Sequence, residues 1–310
     1  MRFSSKTKGG ICAFTGATLW GFSGVCSSYL LDNYAITSLQ LTMYRLITAS
    51  CLFAILLFGF YRKQTLALLA DKETLKRMPA FGLALFLSQG TYILAIGFSN
   101  AGTATVLQSL NIVFIPFVVW VLRKLRPQRR EFFGVGLAFI AVFAIATQGD
   151  PHSLNMPFLG LVWGLACACS TVFYVVAPGK IFAKWGSFVS TGLGTMEGML
   201  LAILANTAAT FLMGPETGSF VFPALDGAGW FAIFGVCVVG SFVSFALFMR
   251  GVEVVGPVVT SVLGAMEPLS AAILSAVFLK TAFTGWDWLG LVLMLGTIVI
   301  VSMRPKSKTN

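Results

Sequence analysis

Three ionisable residues lie inside long apolar stretches of the chain: Arg45, Glu197 and Glu267. A charged side chain at the centre of a bilayer costs on the order of 3 kcal/mol, and by default it marks a functional site. Because one arginine cannot neutralise two carboxylates, one glutamate must be protonated, hydrated or matched by a cationic ligand. The residue types therefore predict binding of a charged small molecule, with Glu197 and Glu267 as candidates for proton coupling. The alternative for Arg45 is a permanent Arg–Glu pair that only joins helices.

Large polar and aromatic side chains accompany these three residues at helical spacing. Small polar residues can simply hold helices together through hydrogen bonds, but Gln, Asn and Tyr are harder to explain in that way. Two tryptophans lie away from the membrane surface, where such rings usually anchor, and core packing is their alternative role. The predicted substrate-binding residues, which we expect to line one central cavity, are Trp20, Tyr44, Arg45, Gln89, Tyr92, Asn111, Trp163, Glu197 and Glu267.

The elements that must position these side chains are membrane-spanning helices. A hydrocarbon core of about 30 Å needs roughly 20 apolar helical residues, and the chain is 57% hydrophobic and only 10% charged. Open sheet is excluded because unsatisfied backbone groups are too costly in lipid. We predict an all-α polytopic membrane protein with ten transmembrane helices near 10–31, 36–59, 78–98, 101–122, 131–148, 158–179, 187–212, 228–249, 254–279 and 286–303.

Basic residues alternate with acidic ones from gap to gap. Of the 21 Lys and Arg residues, all but Arg45 and Lys280 lie in the two termini or in every second gap. Basic loops are retained in the cytoplasm during insertion. We therefore expect a multi-pass protein of the cell (plasma or inner) membrane with both termini cytoplasmic. The net charge of +10 reports this topology and does not indicate binding of nucleic acid.

An internal repeat divides the chain. Trp20-Gly21 matches Trp163-Gly164, and a single shift places Asn111 on Glu267 and Gly134 on Gly290. Repeats over 1–150 and 151–310 would each hold five helices, so the two copies must enter the membrane from opposite sides. Inverted repeats are typical of secondary transporters, which bind substrate near the midplane where the repeats meet.

The Tyr44-Arg45 pair, the basic loop after the fourth helix and Glu267-Pro268 in the ninth resemble the EamA-type family of the drug/metabolite transporter superfamily. The resemblance covers roughly 10–303. It implies transport of amino acids, nucleosides, other small metabolites or drugs. The first half departs from the second, because Asn111-Ile112 stands where the second half has Glu267-Pro268.

The function that we expect is secondary active transport, by alternating access, of a small polar or zwitterionic metabolite such as an amino acid, with export as the direction. Arg45 would bind a carboxylate, and a glutamate would bind an amine or carry a proton. A carrier of cationic compounds such as polyamines or drugs, and a channel, stay open as alternatives. The sequence holds no phosphate-binding loop, catalytic triad or metal-ligand spacing. We therefore expect no enzyme activity, cofactor or metal, and only the metabolite and membrane lipid as partners. The six cysteines are interpreted as buried structural thiols.

Overall fold

The computed structural model describes residues 5–124, 126–150, 152–214 and 216–302. Ten helices in these ranges are long and apolar enough to cross a membrane, which confirms the all-α polytopic prediction. We number them in chain order: α1 (Ser5–Asn33), α2 (Ser38–Gly59), α3 (Lys72–Phe98), α4 (Ala101–Leu122), α5 (Arg129–Thr147), α6 (Phe158–Val176), α7 (Ser187–Met213), α8 (Gly227–Val255), α9 (Val259–Phe278) and α10 (Gly285–Ser302).

Short polar caps start three of these helices at the same end of the bundle. Thr37 and Gln40 form a capping box at α2, each side chain accepting a hydrogen bond from the other residue's backbone N–H. Asn100 accepts from Thr103 N at 2.9 Å before α4, and Asp226 accepts from Gly229 N at 2.8 Å before α8. These bonds satisfy N–H groups that have no partner inside the helix.

Two of the helices are interrupted near their middles. α4 consists of Ala101–Gln108 and Asn111–Arg123, and the corresponding pieces of the α9 region are Pro257–Leu263 and Met266–Phe278. Pro268 cannot donate to the carbonyl of Gly264, which lies in the second interruption. A third irregularity is a π-helix in α8, Gly235–Val243. Interruptions in matching parts of a sequence are a pointer to a transporter binding site.

The strongest helix packing joins the first five helices to the last five. α1 packs against α8 and α9, α2 against α7, α3 against α6 and α7, and α5 against α10. Glycines permit the closest approaches: a Cβ on Gly240 would lie 1.9 Å from Ser23 Oγ, and one on Gly21 would lie 2.6 Å from Glu267 O. The core of the bundle is therefore built between residues of the two sequence halves.

Polar contacts link the two halves at both ends of this interface. At one end Lys184 Nζ lies 2.6 Å from Asp71 Oδ2, and hydrogen bonds from Lys184 and Thr74 lower the pKa of Asp71 to about 2. At the other end Tyr34 donates to Asp226, which lowers the pKa of that carboxyl. Each contact links an element of the first half to one of the second.

The cysteines occupy different environments. Cys26, Cys167 and Cys237 are buried, Cys12 is half-buried, and Cys51 and Cys169 are exposed. The interpretation of all six as buried thiols is therefore wrong for Cys51 and Cys169. A position within a membrane-spanning helix fixes depth, but packing decides which side of the helix faces lipid.

Candidate functional site

Arg45 is a buried cation in α2, with 5% of its surface exposed. Its Nε donates to Ser241 Oγ at 3.0 Å, while its buried Nη1 has no hydrogen-bond partner among the described residues. Within those residues no carboxylate lies close enough to Arg45 to form a salt bridge. A permanent Arg–Glu pair is thus absent from the described part of the chain. The guanidinium keeps unused donor capacity in a place where an uncompensated charge is costly.

The π-helix of α8 positions the partner of Arg45. Ser241 Oγ donates to Val236 O at 2.9 Å, five residues earlier, and accepts from Arg45 Nε. Ser244 makes the same kind of bond to Val239 O at 2.8 Å without a charged partner. Single π turns inside α-helices are frequent at functional sites. Here the π-helix brings Ser241 to Arg45.

A cavity of about 30 Å³ adjoins Arg45, and we call it the Arg45 cavity. Five helices contribute its polar lining: α2, α3, α6, α7 and α8. The polar lining residues are Arg45, Gln89, Tyr174, Thr191, Thr195 and Ser241. A cavity of this volume admits at most a few water molecules, so a metabolite does not fit in this conformation. Donors and acceptors from five helices therefore converge on a small space beside Arg45.

Glu267 lies at the start of the second piece of α9, in its first turn. A helix N-terminus favours a carboxylate there because the backbone dipole is positive at that end. The carboxyl interacts electrostatically with Arg45 from beyond ion-pair distance. Tyr92 interacts electrostatically with both groups, and its buried hydroxyl has no hydrogen-bond partner among the described residues. Arg45, Tyr92 and Glu267 thus form one electrostatic group.

Glu197 lines a different cavity, of about 460 Å³. Its Oε2 is buried and has no hydrogen-bond partner within the described ranges. Ser50 of α2 donates to Thr195 O of α7 at 3.0 Å, so the two helices are joined beside this residue. Glu197 is therefore separated from Arg45 by the contact between α2 and α7.

The remaining predicted site residues lie elsewhere in the bundle. Tyr44 lines a third cavity, of about 250 Å³, and accepts a hydrogen bond from Gln40 at 2.8 Å. Trp20 packs on Phe248 with ring centroids 4.8 Å apart. Trp163 joins the apolar cluster that contains Tyr92. Asn111 Nδ2 donates to Gln108 O at 2.7 Å, across the interruption of α4.

Of the predicted residues, Arg45 and Gln89 thus share a cavity, and Tyr92 and Glu267 join Arg45 electrostatically. Sequence reasoning missed Ser241, Tyr174, Thr191 and Thr195 as neighbours of Arg45. Thr191 and Thr195 are one helical turn apart, and this spacing indicates a polar face on α7 that could have been read from the sequence. Among the described residues, no group of three or more His, Cys, Asp or Glu side chains could hold a metal ion.

Comparisons with known proteins give consistent results. The model of the EamA-like transporter family matches residues 7–147 and 158–303. A curated relative, the "Uncharacterized inner membrane transporter YicL" of Salmonella typhimurium (strain LT2), is 31% identical over 308 residues, covering 98% of each chain. One solved structure, described as "Crystal structure of protein", aligns with a TM-score of 0.61 and 18% identity over 94% of this chain and 96% of that one. The last likeness concerns the fold alone.

Proposed function

Because the chain belongs to the EamA-like transporter family and forms a multi-pass membrane transporter, we propose that it is a secondary active exporter of a small zwitterionic metabolite, such as an amino acid. The observation that carries this proposal is the buried Arg45 without a carboxylate partner among the described residues. A buried, unpaired cation is destabilising, and an anionic ligand would remove that penalty. Arginine also binds a carboxylate through two parallel hydrogen bonds, which gives geometric specificity.

The residues around Arg45 suit the rest of a small polar ligand. Gln89, Tyr174 and the two threonines of α7 supply hydrogen-bonding groups to the same cavity. Glu267 would hold the ammonium group or the coupling proton, since it interacts electrostatically with Arg45 without pairing to it. Tyr92 interacts electrostatically with both of these charges. A zwitterion would thus meet a cation, an anion and neutral hydrogen-bonding groups.

Transport by this site requires alternating access. The Arg45 cavity is far smaller than a metabolite, and polar contacts link the two halves at both ends of the bundle. We propose that the halves 1–150 and 151–310 are inverted repeats that tilt against each other, opening one end at a time. The interrupted helices α4 and α9 are the proposed hinges, because an interruption leaves backbone groups free to change partners. The cavity would enlarge as either end opens.

Cysteine labelling tests the orientation proposed for this cycle, in which the basic end is cytoplasmic. In a variant without the native cysteines, Glu216→Cys should react with an impermeant reagent added to intact cells. Gln128→Cys should react only after permeabilisation, because basic loops stay in the cytoplasm. Strong labelling of Gln128→Cys in intact cells would show that the orientation is the opposite of the one proposed.

Thermal unfolding of the purified protein tests the substrate class. The panel pairs each amino acid with its amide and with the amine that lacks the carboxyl group. A ligand at 100 times its Kd stabilises the folded state by about 2.7 kcal/mol. We expect stabilisation by carboxylate-bearing members alone. Stabilisation by the matched amines instead would contradict the proposal and favour cationic compounds.

Proton coupling is tested in proteoliposomes with Glu267→Gln, which mimics the protonated carboxyl at the same size. The variant should exchange substrate across the membrane but lose accumulation driven by a pH gradient. Full pH-driven accumulation would exclude Glu267 as the proton site. Accelerated exchange of labelled against unlabelled substrate would also distinguish a carrier from a channel, since a channel shows no counterflow.

A further inference from the structure

A short basic segment joins α2 to the long part of α3. Because both helices cross the membrane, this segment lies at the membrane–water interface. It consists of the helix Arg62–Ala70 and the turn Lys72–Leu75. Trp185 of the second half donates to Thr74 Oγ1 at 2.9 Å, which holds that turn in place. The basic residues of the segment are Arg62, Lys63, Lys72, Lys76 and Arg77.

Lys72 and Lys76 are two neighbouring charges without a carboxylate partner in the described part of the chain. The acidic side chains of the segment, Asp71 and Glu73, pair with other cations, and neither lysine forms a salt bridge among the described residues. The two lysines lie one helical turn apart, since Lys76 N donates to Lys72 O at 3.1 Å. Like charges at this spacing repel each other. An anionic ligand between them would replace this repulsion by attraction.

An apolar cavity begins beside the two lysines. Leu75, which precedes Lys76, lines the cavity of about 460 Å³ that Glu197 also lines. Along α2 the lining residues run from Phe58 to Ser50, about 12 Å of helix at 1.5 Å per residue. Glu197 Oε2 is itself buried, so the accessible lining is almost entirely apolar. The cavity therefore extends from the basic segment towards the interior of the membrane.

Charge and shape together favour one class of ligand. Two lysines suit a phosphate, whose oxygens accept charge-assisted hydrogen bonds, and basic clusters next to a membrane-spanning helix attract anionic lipids. A soluble phosphate compound would leave the apolar cavity unfilled. We propose that an anionic phospholipid binds here, with its phosphate at Lys72 and Lys76 and one acyl chain in the cavity between α2 and α7. This inference does not rest on the substrate proposed for Arg45.

Lipid binding to the purified, delipidated protein tests the headgroup contact. Native mass spectrometry compares phosphatidylglycerol with phosphatidylcholine of the same acyl chains. Phosphatidylglycerol should bind at least tenfold more tightly, a difference of about 1.4 kcal/mol. Lys72→Gln combined with Lys76→Gln should abolish this preference. The matched control, Lys124→Gln with Arg126→Gln, removes two exposed charges from the other basic loop and should keep it.

Thiol labelling tests the position of the acyl chain. Cys51 lines the cavity and is exposed, whereas Cys169 is exposed on α6 and does not line it. Two variants keep one of these thiols as their sole cysteine. Phosphatidylglycerol should protect Cys51 from N-ethylmaleimide and should leave the labelling of Cys169 unchanged. Glycerol 1-phosphate, which has the charge without the chains, should neither protect Cys51 nor compete with the lipid.

Several results would overturn the proposal. Equal affinity for the two lipids, or an equal loss of preference in the Lys124→Gln/Arg126→Gln control, would leave only a general attraction of the basic loops for anions. Competition by glycerol 1-phosphate would indicate a site for soluble anions. Labelling of Cys51 that phosphatidylglycerol does not change would exclude an acyl chain from the cavity. Each variant should first show a cooperative thermal transition.

Discussion

Arg45 and Glu197 are both ionisable groups in membrane-spanning helices that pack on each other, yet their surroundings differ. Arg45 lies in a polar cavity of about 30 Å³ lined by five helices, and Ser241 accepts one of its hydrogen bonds. Glu197 lines an apolar cavity of about 460 Å³. A buried charge alone therefore does not define a substrate. The neighbouring groups decide which ligand chemistry the charge suits, and the polar groups around Arg45 suit a small hydrogen-bonding anion.

The size of each cavity also separates the two regions. The Arg45 cavity must enlarge before a metabolite can enter, so binding there is tied to movement of the halves. The cavity at Glu197 is already larger, about 460 Å³, in the conformation described. We therefore expect binding at Arg45 to be coupled to the transport cycle.

The largest effect is expected when each of the two charged side chains is removed in a separate variant. Arg45→Ala should abolish the stabilisation by metabolite, about 2.7 kcal/mol at 100 times the wild-type Kd, because the carboxylate loses its partner. Glu197→Gln, the matched variant of the other region, should keep it. Thermal unfolding with and without metabolite gives both values. If both variants lost the stabilisation by metabolite equally, Arg45 and Glu197 would belong to one binding site.

A smaller effect is expected at the π-helix. Ser241→Ala removes the acceptor of Arg45 Nε and should cost about 2 kcal/mol, the range for a hydrogen bond to a charged group. Ser244→Ala is the control, because it removes a similar bond to a backbone carbonyl without a charged partner. The free energy of unfolding should fall further in Ser241→Ala. Similar values for both would mean that the bond to Arg45 contributes nothing measurable.

The smallest effect is expected at the end of the bundle that carries the basic loops, where Lys184 contacts Asp71. The pKa of Asp71 is lowered to about 2 by the hydrogen bonds from Lys184 and Thr74. Its contribution to stability is therefore present above the usual carboxyl pKa of about 3.9 and is lost as the pH falls towards 2. Asp71→Asn should lower the Tm slightly at pH 7, with the difference from wild type shrinking below pH 4. Glu73→Gln, in an exposed pair with Arg77, should leave the Tm unchanged. A difference for Asp71→Asn that stays constant down to pH 2 would contradict this assignment.

Hydropathy was sufficient to predict the ten membrane-spanning helices. The apolar stretches are long enough to span a bilayer. Polar N-cap residues such as Thr37 and Asn100, which can be read from the sequence, mark where two of the helices begin. Arg45 and Gln89 were found for a related reason, since a charge or a large amide in such a stretch is a rare and costly feature. These signals depend only on composition along the chain.

The rest of the site could not be predicted because it depends on the direction in which each helix face points. Sequence position gives the depth of Glu197 and Arg45, which is similar, but not the packing that directs them into different cavities. The threonine face of α7 reaches Arg45, while the face with Glu197 does not. Ser241 escaped notice because a π-helix shifts the face on which later residues lie, and the usual 3.6-residue period no longer applies.

Accessibility of position 89 tests most directly the central claim that the Arg45 cavity is a substrate site reached alternately from both sides. Gln89 lines that cavity, whereas the adjacent Ser88 is buried against Thr171 in the α3–α6 contact. In a variant without native cysteines, Gln89→Cys should react with an impermeant thiol reagent added to either side of oriented proteoliposomes. Saturating metabolite should suppress both reactions, and Ser88→Cys should stay unreactive. Reaction of Gln89→Cys from one side only, or without protection by metabolite, would contradict the account.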